Sequence, residues 1–205
     1  MGERVKTPGE FGPAIDLATA RTRLLDAPAR AGEIGAEWDG DAFILRYLGS
    51  TARVVQATGE CTLDGRRAPG ADMLLLLHYI TGARSFHLEN RWLSFRELPD
   101  GRPYLAAFLE RGPQRIAAGF NGDPGRFARA ATRFAGGRPA PDLPGLAYVI
   151  PALPLLPLAV LLHEGDSSLP ASANILFNAG APLHFHTEDL AVLGERFAQR
   201  LVDWA

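Results

Sequence analysis

The clearest pattern of apolar and polar positions lies near the C-terminal end of the sequence. Apolar residues recur there every three or four positions, which places them on one face of an α-helix, and charged residues fall mostly on the other face. Thr187 precedes this pattern as the predicted N-cap, and Glu188 and Asp189 follow in the first turn, where the helix dipole favours carboxylates. The residues predicted to share the buried face are Leu190, Leu193, Phe197, Leu201 and Trp204.

A second segment, ADMLLLLHYI at 71–80, is hydrophobic on every side of a helix. Such a helix is buried rather than exposed, and Gly82 is a natural residue for its C-terminal end. We therefore predict a central helix surrounded by the rest of the core.

Other segments have the length and composition of strands. The long apolar run 146–162 contains prolines at 151, 154 and 157, which argues against a membrane-spanning helix and favours two buried strands joined by a turn. The remaining candidates are bounded by short turn signals, which are Gly49-Ser50, Pro99-Asp100-Gly101 and Asn178-Ala179-Gly180. The predicted strands are 42–48, 52–57, 91–98, 147–150, 158–162 and 173–177.

These elements predict an α+β fold, in which a mixed or mainly antiparallel sheet is packed by a buried central helix and a C-terminal amphipathic helix. Residues 1–12 are expected to form a flexible lead, and residues 13–205 a single domain. A possible soft boundary lies at 135–145, where glycine and proline are frequent.

Composition narrows the function classes. The chain has 205 residues and a net charge of −2, which argues against binding nucleic acid through overall charge. Its single cysteine, Cys61, cannot form an intrachain disulfide or a cysteine-only metal site and is expected to be a small buried hydrophobe. No phosphate-binding glycine loop or nucleophile elbow is present. Without an apolar leader or a membrane helix, the expected location is the cytoplasm.

Arginines are concentrated in one part of the chain. Residues 102–138 contain seven arginines against two acidic residues, a net charge of +5. Within this part, Asp123 is predicted to cap a helix that places Arg126, Arg129 and Arg133 on the side opposite its apolar residues. This row is either a solvated helix face or a surface for an acidic partner, a phosphate or a carboxylated cofactor. His78, in the central helix, is either a hydrogen-bonded core histidine or a residue with a ligand or acid–base role.

Three histidines form the one combination with the composition of a metal site. His184 and His186 are two positions apart, so on an extended segment they would point to the same side, and His163 ends a predicted strand. Glu164 or Asp166 would add oxygen ligands. The alternative interpretation is two exposed loop histidines preceding a helix.

Several longer segments together resemble domain-of-unknown-function family 3786, whose members occur mostly in anaerobic bacteria and archaea and are in some cases fused to an iron–sulfur module. The resemblance covers the chain from about Phe43 onward, and it implies a stand-alone domain that serves corrinoid or iron–sulfur methyl-transfer systems. It supplies no catalytic residues. The segments that carry it are LLLLHYITGA (74–83), WLSFRELPDGRPY (92–104), ALPLLPLAVLLHEGD (152–166), ILFN (175–178) and TEDLAVLG (187–194).

These observations lead to two main functional hypotheses. A third alternative is a purely structural interaction module. The first is a non-enzymatic accessory domain of anaerobic metabolism that binds a corrinoid or another tetrapyrrole, or an acidic or cofactor-carrying partner protein. Its candidate cofactor-binding residues are His78, Arg126, Arg129 and Arg133. The second is a metal-dependent, hydrolase-like enzyme in which a metal ion would polarise water and Glu164 would serve as the base. Its candidate metal ligands are His163, His184 and His186.

Overall fold

A computed structural model describes residues 11–84, 91–134, 136–165 and 169–205. The chain divides into two compact units, one formed by Met1–Arg46 and Ser50–Ser85 and the other by Tyr47–Gly49 and Phe86–Ala205. The predicted α+β class is confirmed, because helices accompany two separate five-stranded sheets. The segment 135–145 lies inside the second unit. The single domain over 13–205 stays a prediction, and the first ten residues of the predicted lead lie outside the described residues.

The first unit contains a sheet with the strand order β1-β2-β3-β4-β5, in which neighbours along the chain are also neighbours in the sheet. The three pairings β1–β2, β3–β4 and β4–β5 are antiparallel. Its elements are α1 (Gly12–Thr22), α2 (Ala27–Ile34), β1 (Glu37–Trp38), β2 (Ala42–Tyr47), β3 (Ser50–Val55), β4 (Cys61–Leu63), β5 (Arg66–Arg67) and α3 (Gly70–Gly82).

Two tight turns set the register of this sheet. Leu48 and Gly49 join β2 to β3 with φ values of 44° and 82°, and Asp64 and Gly65 join β4 to β5 with 49° and 78°. Two successive residues at positive φ match the right-handed twist of the strands they connect. The predicted strands 42–48 and 52–57 are therefore found as the neighbouring strands β2 and β3, joined by one of these turns.

Helix α3 is the predicted buried helix and ends, as predicted, at Gly82. Its buried residues include Leu75, Leu76 and Tyr79, and the Tyr79 hydroxyl donates a hydrogen bond to the Ile34 carbonyl at 2.9 Å. The helix is not buried all round, since His78 on the same helix is half-buried.

The second unit contains a sheet with the order β6-β10-β9-β8-β7, and every pairing in it is antiparallel. Short 3-10 helices at Phe95–Glu97, Arg102–Tyr104 and Ala181–Leu183 connect its longer elements. Those elements are β6 (Trp92–Ser94), α4 (Leu105–Arg111), α5 (Pro113–Gly119), α6 (Pro124–Arg133), β7 (Arg138–Pro139), β8 (Leu146–Leu153), β9 (Leu156–His163), β10 (Ser172–Asn178) and α7 (Thr187–Asp203).

The proline-interrupted apolar run forms the hairpin β8–β9, as predicted, although both strands are longer than predicted. Pro154 lies in the turn that connects them. Pro151 and Pro157 face each other across the ladder, beside a shift in register. Because proline has no N–H to donate, this end of the hairpin is the position where the ladder tolerates it.

The predicted strand 91–98 is only partly correct. The strand β6 ends at Ser94, where the Glu97 carboxylate accepts hydrogen bonds from the Ser94 backbone N–H at 2.8 Å and from its hydroxyl at 2.7 Å. This capping box starts a 3-10 helix at Phe95. The local side-chain bonds thus prevail over the alternating pattern that predicted a longer strand.

Aromatic side chains form much of the core of the second unit. The rings of Phe95 and Phe108 stack at 4.1 Å, and Phe127 meets Tyr148 of β8 edge-on at 5.7 Å. The Phe134 ring lies 5.8 Å from that of Phe197 on α7. Helices α4, α6 and α7 therefore contact the rest of this unit through aromatic pairs. Such pairs stabilise a protein by more than the burial of their apolar area alone.

Helix α7 confirms the predicted amphipathic helix, and two details of the prediction are wrong. Four of the five predicted buried residues are buried, but Trp204 lies just past the helix end and is 56% exposed. His186 occupies the N-cap position instead of Thr187, whose hydroxyl donates to the Pro99 carbonyl. The threonine hydroxyl is thus engaged with another segment and does not cap its own helix.

Candidate functional site

The helix α6 is the element on which the candidate site is built. The Asp123 carboxylate accepts a hydrogen bond from the Arg126 backbone N–H at 2.7 Å, and Pro124 occupies the first turn, as the sequence predicted. Phe127, Ala130 and Ala131 are buried on the inner side. The helix is therefore anchored by its apolar side and leaves its other side available to solvent.

Arg126 is held in place at the border between these two sides. Its side chain is half-buried and donates a hydrogen bond through Nη1 to the Gly119 carbonyl, at the end of α5, at 2.9 Å. Its guanidinium carbon lies 5.4 Å from the centre of the Phe120 ring, a cation–π distance. A guanidinium has five N–H donors, so donors remain for a ligand after these contacts are made.

Arg129 and Arg133 are exposed, three and seven positions after Arg126. At about 100° per residue these spacings keep all three side chains on one side of the helix, over about 10 Å of its length. We call Arg126, Arg129 and Arg133 the arginine face. In the part of the chain that the structure describes, the guanidinium groups of Arg129 and Arg133 take part in no hydrogen bond or ion pair.

Charge is distributed unevenly along the chain that contains this helix. Residues 102–138 carry a net charge of +5, whereas the rest of the chain has 14 basic and 21 acidic residues, a net charge of −7. One of the two acidic residues in 102–138 is Asp123, which caps α6. The arginine face thus belongs to a strongly basic part of an acidic protein.

His78, the fourth predicted cofactor-binding residue, lies on α3 of the first unit, whereas the arginine face belongs to the second unit. His78 is half-buried and takes part in an interaction within the protein. A role for His78 in cofactor binding stays a prediction, because no observation on α3 tests it.

The expected common orientation of His184 and His186 is not found. His184 is 4% exposed and has helical backbone angles, φ −101° and ψ −37°, directly after the 3-10 helix Ala181–Leu183. His186 is exposed at the N-cap of α7. Alternation of side chains requires extended backbone, and the helical turn at His184 directs the two imidazoles into different surroundings.

His163 completes the predicted metal set, at the exposed end of β9. Its ring lies so close to Gly145 that a side chain at Gly145 would meet it within 2.8 Å. Among residues 11–84, 91–134, 136–165 and 169–205, no three His, Cys, Asp or Glu side chains form a group that could hold a metal ion. The structure therefore does not bring His163, His184 and His186 together, and Asp166 lies outside the described residues.

Cys61 is buried in β4, as predicted. Burial raises the pKa of its thiol to about 12, and the negative charges of Asp72 and Glu60 add to the effect. The thiol therefore stays protonated near neutral pH. Because the thiolate is the nucleophilic form, Cys61 is poorly suited to nucleophilic catalysis.

A family model described as a domain of unknown function (DUF3786) matches residues 26–200, which include α2 and most of α7. The chain belongs to this family. No curated protein and no solved structure matches it. The family match confirms the resemblance seen in the sequence and covers the whole arginine face.

Two features of this part of the molecule had weak signals in the sequence. The contact of Arg126 with the Gly119 carbonyl depends on the turn between α5 and α6, which side-chain periodicity does not reveal. Trp204 fits the helical repeat, so periodicity alone predicted that it is buried. Its position at the very end of that repeat was the available signal, since helix ends fray and their boundaries are uncertain by one or two residues.

Proposed function

We propose that this chain is a non-catalytic accessory domain that binds an acidic partner protein through the arginine face. The observation that carries the proposal is the pairing of one immobilised arginine, Arg126, with two exposed arginines that have no acceptor in the described residues. A guanidinium presents a planar set of donors that matches a carboxylate, so such a row suits aspartate and glutamate side chains.

The shape of the surface favours a protein over a small cofactor as the direct ligand. The arginine face lies along the exposed side of a helix, and helix sides are convex. Small-molecule sites are concave and bury most of the ligand surface. An acidic protein surface can cover a convex row of arginines, and opposite charges increase the rate and specificity of such an encounter.

We further propose that this partner carries a corrinoid or another tetrapyrrole and takes part in anaerobic metabolism. This part of the proposal rests on the family resemblance described for the sequence. The family match itself assigns no activity.

A direct test is the fluorescence anisotropy of fluorescein-labelled decaglutamate titrated with the protein at low and at high salt. We expect binding that weakens with salt, and a loss of about tenfold in affinity for Arg129→Gln/Arg133→Gln, because two charge-assisted contacts contribute on the order of 1.4 kcal/mol in total. The matched control is Arg66→Gln/Arg67→Gln, which removes the same charge from two exposed positions on β5. Equal losses in the two variants would contradict the proposal.

Titration with cobalamin and with haem, followed by visible spectroscopy, distinguishes binding of a partner protein from direct binding of a cofactor. We expect no saturable spectral change with the isolated chain. Saturable binding that is lost in Arg129→Gln/Arg133→Gln would instead identify the arginine face as a site for the cofactor carboxylates or phosphate.

A further inference from the structure

We propose that Trp204 is an apolar anchor of the same surface, so that the partner presents an aromatic or aliphatic side chain flanked by carboxylates. This inference rests on the proposed function of the arginine face. Trp204 is 56% exposed, whereas Trp38 and Trp92 are half-buried. An indole left largely in water at this position is the observation to be explained, because tryptophan is a highly buried residue on average.

The position of Trp204 connects it to the arginine face. Its ring lies 6.3 Å from the ring of Phe134, at an interplanar angle of 66°. Phe134 directly follows Arg133 and forms the C-terminal cap of α6. Trp204 therefore packs against the residue that ends α6, one position after the last arginine of the face.

The indole is also held in position before any partner binds. One side of it contacts the buried Phe134, which in turn contacts Phe197. The Trp204 backbone N–H donates to the Arg200 carbonyl at 2.9 Å, which continues the hydrogen bonding of α7. A side chain supported in this way loses little conformational freedom on binding, so more of its burial contributes to affinity.

The chemistry of the surface specifies the partner segment. Tryptophan and arginine are the residue types most often found to dominate binding energy at protein interfaces. Carboxylates alone would satisfy the arginines and leave the indole in water. A segment that combines acidic residues with one apolar side chain would satisfy both features.

A second copy of this chain is the competing occupant, because residues outside 102–138 carry a net charge of −7. Sedimentation of the wild-type protein at low salt tests this alternative. We expect a monomer. Self-association that Trp204→Ala and Arg129→Gln/Arg133→Gln both abolish would overturn the inference of a different partner.

The main experiment compares two labelled peptides by fluorescence anisotropy: decaglutamate, and the same peptide with one central glutamate replaced by phenylalanine. We expect wild-type protein to bind the phenylalanine peptide about tenfold more tightly, the effect of one contact worth on the order of 1.4 kcal/mol. Trp204→Ala should lose this gain and keep its affinity for decaglutamate. The control Leu24→Ala, which truncates an 86% exposed apolar residue in the first unit, should retain the gain.

Failure of this inference is distinguishable from failure of the proposed function. If wild-type protein binds neither peptide, the arginine face is not an acidic-partner site and both proposals are wrong. If it binds both peptides equally, the arginine face stands and the role of Trp204 is overturned. Acrylamide quenching of the wild-type tryptophan fluorescence gives a readout that needs no variant: the phenylalanine peptide should reduce quenching, and unchanged quenching counts against the anchor.

Discussion

Arginines have opposite roles in two regions of this molecule. In the first unit, Arg30 of α2 donates through Nε to the Ile80 carbonyl and through Nη2 to the Ala83 carbonyl, both at 2.6 Å, and so binds the C-terminal end of α3. In the second unit, Arg129 and Arg133 of α6 have no such acceptor among the described residues. The residue type is the same, and the difference lies in whether carbonyl groups stand within reach.

The comparison shows why arginine content alone does not identify a binding surface. The last carbonyls of a helix have no partner within that helix, so a nearby guanidinium is bound by the fold itself. On α6, helical hydrogen bonds use the carbonyls that precede the last turn, and the guanidinium groups of Arg129 and Arg133 bond to no carbonyl among the described residues. Arginines on such a side remain available for a partner.

The largest expected effect concerns the inner side of α6, which anchors the arginine face. Phe127 is fully buried and contacts the rings of Phe120 and Tyr148. Phe127→Ala should lower the free energy of unfolding by about 4 kcal/mol through lost burial and a residual cavity. Urea denaturation followed by circular dichroism measures this, with Arg129→Ala on the same helix as control. A loss below about 1 kcal/mol would show that α6 is not held by its apolar side.

A smaller effect on the free energy of unfolding is expected at Arg30, whose guanidinium bonds to carbonyls of the first unit. Arg30→Gln removes two charge-assisted hydrogen bonds and should lower the free energy of unfolding by about 3 kcal/mol. Arg30→Lys should recover only part of this loss, because an ammonium group lacks the planar fork that reaches both carbonyls. If Arg30→Gln unfolds at the same urea concentration as wild type, Arg30 does not stabilise the fold. The proposed difference between Arg30 and the arginine face would then be wrong.

The smallest effect on stability is expected for the arginine face. Arg129→Gln/Arg133→Gln should shift the melting temperature by less than about 2 °C, because neither guanidinium makes a hydrogen bond or ion pair within the described residues. Differential scanning calorimetry of this variant and of Arg66→Gln/Arg67→Gln provides the measurement. A large decrease in melting temperature for Arg129→Gln/Arg133→Gln alone would mean that these arginines stabilise the fold. It would contradict their assignment to a partner-binding surface.

The parts of the fold that the sequence predicted are those set by local periodicity. Helix α3 follows from the apolar segment that ends at Gly82, helix α7 from apolar residues at every third or fourth position, and the β8–β9 hairpin from prolines within an apolar run. The end of β6 was missed because Glu97 bonds back to Ser94. That competition depends on side-chain geometry and leaves the alternating pattern unchanged.

The candidate site residues also differ in how far the sequence could predict their arrangement. The arginine face was predictable because spacing in a helix fixes which side chains share a side. The histidine set was not, because the prediction assumed an extended chain at His184, where a 3-10 helix has just ended. Spacing of two residues carries no information about proximity until the backbone conformation is known.

The prolines of the β8–β9 hairpin have a consequence for the chain before it has folded. Leu146–His163 is one of the most apolar stretches of the sequence, and segments of this kind stack readily into cross-β aggregates when exposed. Pro151, Pro154 and Pro157 each remove a backbone donor from any such stack. In the native hairpin they cost little, because they lie at the turn and beside it. We therefore expect these prolines to act as gatekeepers that reduce aggregation of newly synthesised chains while the second sheet is still incomplete.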